Sequence, residues 1–262
     1  MAEIGIQLAN MTWPEARNAL AAAEVVIVPT GSTEQHGPGM LLRTDTSIAA
    51  AVAERVANRL RPRAVVTPAL PFGLSAHHMR FPGTLSLQPD TFMAVVLDVM
   101  RSLEAHGARR VFLLNGHGGN QAVLGVVVAR ARQELRVPVA TALYLAAAAD
   151  LLRERFGRAY AHACEIESSV ALAAAPDLVR VEALAAGAEH VPPYRHTMLA
   201  GGGAGAGAFV DAGLRMDELT ANGALGDPRL GSREVGEAVL RLVEKRLVEF
   251  LEDFMAAKRD PE

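Results

Sequence analysis

The chain has 262 residues, 50% hydrophobic, 21% charged and 5% aromatic, a composition that excludes a disordered or fibrous protein. A formal net charge of -3, with basic residues scattered along the chain, excludes the electrostatic footprint of a nucleic-acid binder. A lone cysteine, Cys164, cannot close an intramolecular disulfide, and no segment reads as a signal sequence or a membrane span. These features predict a cytoplasmic protein that meets neither nucleic acid nor membrane. A chain of this length buries roughly three quarters of its unfolded surface, enough for one domain over residues 1–262 without structural disulfides.

In chain order, Val25 to Val28 form a short β-branched run stopped by Pro29 and Gly31, the pattern of a strand buried on both faces. Apolar residues at helical spacing from Thr44 to Arg61, with Thr44 or Thr46 as cap and Asp45 in the entry turn, predict a helix. Ala64 to Thr67 reads as a second strand, and Pro89 to His106 as a helix ended by Gly107. Val111 to Leu114 is a third strand, running into Asn115-Gly116-His117-Gly118-Gly119-Asn120 and a helix over Gln121 to Leu135. Pro138 to Tyr144 reads as a strand and Glu165 to Ala175 as a helix. Gly201 to Phe209 is of low complexity and reads as a loop or lid. Ser232 to Phe254 closes the chain as an amphipathic helix with Leu240, Leu242, Val243, Leu247 and Phe250 on its apolar face. Alternating strands and helices predict an α/β fold with a mostly parallel sheet covered on both faces, whose ligands bind at the carboxyl ends of the strands.

Three clusters fall at or near such ends. Glu34 and His36 follow the first strand, with Asp45 nine residues beyond His36; His117 follows the third; His162, Cys164, Glu165 and Glu167 lie at a helix start. Glu, His and Asp are ligands for Zn²⁺, Mn²⁺ or Fe²⁺. A single Glu or His on a glycine-flanked loop is ordinarily a solvated loop residue. Five candidate ligand residues converging on one sheet edge, Glu34, His36, Asp45, His117 and Glu165, point instead to a metal. His77 and His78 precede a turn and face either the same pocket or solvent. Cys164 reads as a packing thiol, because no motif pairs it with a base. Glu167 reads as a helix cap or a partner behind the ligands, and Ser32 and Gln35 as residues that shape the loop. His106, His190 and His196 have no supporting context.

The segments PTGSTEQHGPGMLLRTDT, FPGTLSL, NGHGGN, HACEIESS and NGALGDPRL together resemble the creatininase family of metal-dependent amidohydrolases, in order from about Leu8 to Val248. The resemblance implies a three-layer α/β/α sandwich with a binuclear centre of two divalent ions, Zn²⁺ or Mn²⁺ with Fe²⁺ also admissible, commonly in a homohexamer. By match, Glu34 and His117 bind one ion, His36 the other, and Asp45 bridges them. Creatininase carries a tyrosine and a metal-binding glutamate directly after this histidine, where the present chain has Gly118 and Gly119; Glu165 is the implied substitute. His77, His78 and Gly118 are then the expected substrate contacts.

The expected chemistry is hydrolysis of a carbon–nitrogen amide bond in a small molecule such as a cyclic amide, formamide or lactam, with metal-activated water as nucleophile and His162 giving a proton to the leaving nitrogen. Arg158 to Ala161, upstream of His162, replace the tryptophan–aspartate pair that holds creatinine in creatininase, which argues against creatinine itself. The late NGALGDP stretch resembles the branch that acts on the mycofactocin precursor peptide. A noncatalytic Rossmann-like binding module explains the strand–helix alternation but leaves the three clusters unused.

Overall fold

Val25–Thr30 (β1), Ala64–Val66 (β2), Val111–Asn115 (β3) and Val139–Leu143 (β4) pair in parallel in the order β2-β1-β3-β4. The computed structural model describes residues 6–157, 162–189, 194, 197–198 and 210–257. Ile27 lies opposite both Val66 and Phe112, and Thr30 opposite Asn115, so the strand ends that carry the site are in register.

Strand residues divide by parity between two cores. Val25, Ile27, Phe112 and Leu114 pack under Thr44–Arg59 (α2), Glu165–Ala174 (α6) and Arg233–Ala256 (α8). Val26, Val28, Val111 and Leu113 pack under Trp13–Ala22 (α1), Pro89–Ala105 (α3) and Gln121–Glu134 (α4). Both faces being covered is why the strands read as unbroken apolar runs. The result is the three-layer α/β/α sandwich expected from the sequence.

The differences are local. Pro29 continues β1 instead of ending it; its carbonyl accepts from Leu70 N at 2.9 Å, on the side where β2 has already stopped at Val66, so its missing N–H removes no ladder bond. Helix α1 leaves no apolar period in the sequence because only Ala19 and Leu20 of it are buried, although Thr12 and Glu15 form a capping box at its start. Ala149–Phe156 (α5) buries only Leu152 and leaves no apolar period for the same reason. On α8 the buried face runs from Val235 through Val239, Leu240, Val243, Leu247 and Leu251 to Met255, whereas Leu242 is only partly buried and Phe250 is 42% exposed. The remaining strands, Thr197–Met198 (β5) and Val210–Asp211 (β6), pair with each other, and Met216–Leu219 forms α7. Gly201 to Phe209 and Arg158 to Ala161 lie outside the described residues. No helix among the described residues is long and apolar enough to cross a membrane.

Candidate metal centre

Three segments meet at the carboxyl edge of the sheet. The loop after β1 delivers Glu34 and His36, the first turn of α2 delivers Asp45, and the residues just past β3 deliver His117. Asn115 holds the last of these in place: its Oδ1 accepts from His117 N at 3.0 Å and its Nδ2 donates to His117 O at 2.7 Å. A Cβ at Gly119 would collide with the His117 ring and Leu74 O, so the close approach requires glycine. Asp45 gains from the positive end of α2.

Asp45 stands between the two histidines, with Oδ1 3.0 Å from His36 Nε2 and Oδ2 3.1 Å from His117 Nδ1. Glu34 Oε1 is 3.2 Å from His117 Nδ1. All four side chains are at least 96% buried. Yet Glu34 Oε1 and Asp45 Oδ2 have no aligned hydrogen-bond partner among the described residues. Buried carboxylate oxygens without a donor are costly, and a cation between them removes the cost. The set of oxygen and imidazole donors fits a borderline divalent ion. Three overlapping groups have ligand atoms within 4.8 Å of one another: Glu34, His36 and His162; Glu34, His77 and His117; His36, Asp45 and Glu167.

Electrostatics follow from this crowding. Burial disfavours the His36 imidazolium, but Asp45, Glu167 and Glu34 outweigh it and hold the pKa up at about 10. His117 is raised against burial by Glu34 and Asp45. Glu34 is held low against burial by His117 and His78. Burial, reinforced by repulsion from His36, lowers His162 to about 3, so its imidazole is neutral. Burial likewise lowers His78, and it raises Glu167, with Asp45 adding to that rise.

Glu167, not Glu165, comes near the cluster, and it also makes the capping contact expected of it. Glu165 Oε2 accepts from Asp227 N at 3.3 Å, in the late loop, and belongs to none of the converging groups. Glu167 Oε1 lies 3.9 Å from His36 Nε2, while its Oε2 accepts from Ala163 N at 2.6 Å. Two positions on a helix are about 200° apart, so only one of the pair can face the sheet edge. Ala163 takes φ 50 to present that N–H, a left-handed conformation that is uncommon for alanine.

The other expected residues also gather here. His78 Nε2 is 3.4 Å from Glu34 Oε1, and the His77 ring stacks on His117 at 5.8 Å. Gly118 opens the short turn Gly118–Asn120 beside them. Ser32 Oγ meets Ser75 Oγ, which donates to Glu34 Oε2. Cys164 is buried in the same core as Tyr144. His106 is exposed, and His190 and His196 lie outside the described residues. Sequence reasoning missed Ser75 and Tyr144, since neither stands in a recognisable pattern. Tyr144 follows β4, is buried, and its hydroxyl has no hydrogen-bond partner among the described residues.

Comparison with known proteins agrees with this fold. The family model Creatininase, described as creatinine amidohydrolase, matches residues 9–251. A mycofactocin precursor peptide peptidase of Mycolicibacterium smegmatis is 36% identical over 211 residues, 78% of each chain. A creatinine amidohydrolase of Pseudomonas putida is 38% identical over 133 residues, 48% of this chain and 50% of the relative. Among solved structures, a creatininase superposes with a TM-score of 0.82 at 27% identity, covering 98% of this chain and 100% of the other. A zinc–zinc form of a mutant creatininase gives 0.80 at 27% identity over 97% and 99% of the two chains, and a manganese creatininase 0.80 at 28% over 97% and 100%. With the layer order, the histidine–carboxylate cluster and a match over nearly its whole length in agreement, the chain belongs to the creatininase family.

Proposed function

We propose that this creatininase-family hydrolase cleaves a carbon–nitrogen amide bond of a small molecule, with two divalent ions, Zn²⁺ or Mn²⁺, held by Glu34, His36, Asp45, His117 and Glu167. The observation that carries the reading is the pair of buried, unpartnered oxygens of Glu34 and Asp45 beside His117. What divalent ions supply in such a donor set is a water of lowered pKa and positive charge against a developing oxyanion. Glu34 and His117 would hold one ion and His36 and Glu167 the other, with Asp45 placed between the two histidines. Ser75 orients Glu34, and Asn115 orients His117. His162, buried and neutral, moves the proton that the leaving nitrogen needs. His77, His78 and Gly118 are the nearest walls for a substrate.

A second reading, hydrolysis of a peptide bond, is favoured by the 36% identity to the mycofactocin precursor peptide peptidase. Both readings use the same metal chemistry. Metal-reconstituted protein assayed against creatinine, N-formyl pyrimidines, small lactams and short peptides separates them. Turnover of a small amide that vanishes on chelation and returns with Zn²⁺ or Mn²⁺ is the expected result. Turnover of peptides alone assigns the second reading, and metal-independent turnover or none at all removes both.

A further inference from the structure

We infer that Gln35 is a positioning residue whose backbone and side chain set the tautomers of His162 and His78, leaving Nδ1 of His162 bare toward the acidic centre. The argument is a count of protons. Gln35 Oε1 accepts from Gly37 N at 2.9 Å, which identifies the other amide atom as the nitrogen. That nitrogen carries two protons and has three neighbours: His78 Nδ1 at 2.8 Å, Gly223 O at 3.1 Å and His162 Nε2 at 3.0 Å. His162 Nε2 also lies 2.8 Å from the backbone carbonyl of Gln35. A carbonyl only accepts, so His162 Nε2 carries its proton and donates it there. The two amide protons then go to the two remaining acceptors, Gly223 O and His78 Nδ1, and the count closes. The opposite tautomer of His162 would set a lone pair against a carbonyl oxygen at 2.8 Å.

Each assignment directs the opposite ring nitrogen. His78, accepting at Nδ1, carries its proton on Nε2, which lies 3.4 Å from Glu34 Oε1 without an aligned hydrogen bond. His162 Nδ1 faces the same oxygen at 3.7 Å with a lone pair. The late NGALGDP stretch thereby acquires a role. Gly223 has φ 86, a Cβ there would collide with Gln35 Oε1, and Leu225 N donates to His162 O at 2.8 Å. This loop presses the Gln35 amide and the His162 backbone into one arrangement.

Resting on the proposed hydrolysis, the consequence is an order of events. In the resting site Nδ1 of His162 is an acceptor, while Nε2 donates to the Gln35 carbonyl. As the water oxygen bonds to the amide carbon, the water's proton passes to Nδ1. When the carbon–nitrogen bond breaks with its electron pair on nitrogen, the same proton passes from Nδ1 to that nitrogen. His162 returns to its starting tautomer, and water has been added with no further reactant.

The test is long-range ¹H–¹⁵N correlation of ¹⁵N-histidine-labelled, metal-free protein, which needs no substrate; signals are assigned by their loss in His78→Gln and His162→Gln. His78 and His162 are both expected as Nε2–H tautomers, and Nδ1–H on either overturns the inference. Because Nε2–H is also the commoner tautomer of free imidazole, Gln35→Glu provides the sharper arm. A carboxylate oxygen facing His78 Nδ1 should put a proton there while His162 keeps its own on Nε2. The zinc-loaded variant should lose about tenfold or more in kcat with unchanged zinc content. An unaltered His78 spectrum in a folded Gln35→Glu protein overturns the positioning role. A failure of hydrolysis in every substrate assay, with the spectra as expected, would remove the proposed function and leave the tautomers standing.

Discussion

Glu165 and Glu167 stand two residues apart on one helix and turn their carboxylates to different partners: Glu165 to Asp227 N at 3.3 Å, Glu167 to within 3.9 Å of His36 Nε2. Only the second belongs to the group with His36 and Asp45. Glu167→Gln is therefore expected to lose about one equivalent of metal per chain, and Glu165→Gln to keep the full complement. The latter should instead lose about 1 kcal/mol of stability through its loosened contact with the late loop. Metal analysis after dialysis decides, and the reverse pattern would return the ligand role to Glu165.

His162→Ala is expected to lower kcat by about 100-fold or more while metal content stays near that of the parent. His162 also forms a possible ligand group with Glu34 and His36, so metal content is the discriminating measurement. Loss of an ion would make His162 a ligand.

Metal uptake should expel protons. In the metal-free protein His36 is held at about 10 and is charged at neutral pH, and His117 is raised in the same direction, whereas ligation takes neutral imidazole. Affinity should rise with pH up to about 10. Titration calorimetry in two buffers of different ionisation heat reads the released protons directly; equal heats would contradict the ligand assignment. Without metal the sign reverses. The raised His36 value stabilises the fold fully below its ordinary pKa of 6.5, and that contribution is lost as pH climbs through about 10.

Gly223→Ala and Gly107→Ala form a matched pair. Both glycines have positive φ, 86 and 84, but a Cβ at Gly107 meets nothing within 4 Å whereas one at Gly223 strikes Gln35. Gly107→Ala should cost about 1 kcal/mol from the backbone alone. Gly223→Ala should cost more and should also reduce kcat. Thermal unfolding of the two variants, compared at equal metal loading, isolates the contact with Gln35.

Tyr144→Phe should leave the metal-free protein as stable as the parent or more so. The buried hydroxyl has no partner among the described residues, so its removal takes away desolvated polarity and no hydrogen bond. A clear fall in the melting temperature would show that the hydroxyl is bonded in solution.

Much of this protein is legible in the order of its residues. Unbroken apolar runs such as Val25 to Val28 mark strands buried on both faces, and Asp45, closing the TD of the first motif, marks a helix entry at the sheet edge. These are short-range patterns, set by side-chain period and local capping. Helices α1 and α5 were hidden because each buries too little apolar surface to leave a period.

Strand and helix periodicity in the sequence pointed to the layered α/β fold, and the residue clusters pointed to a convergence of Glu34, His36, Asp45, His117 and Glu165 at one sheet edge. Only the tertiary structure decided between Glu165 and Glu167 as the carboxylate facing His36. Both are acidic, both lie in the first turn of α6, and nothing in their order distinguishes them. The choice came from the rotation of α6 against the sheet, which packing with α2 and α8 sets. The same holds for Gln35, whose amide is 188 positions from Gly223 and 127 from His162 along the chain. Proton direction among such groups depends on which acceptors a fold brings within 3 Å, and chain order carries no record of it.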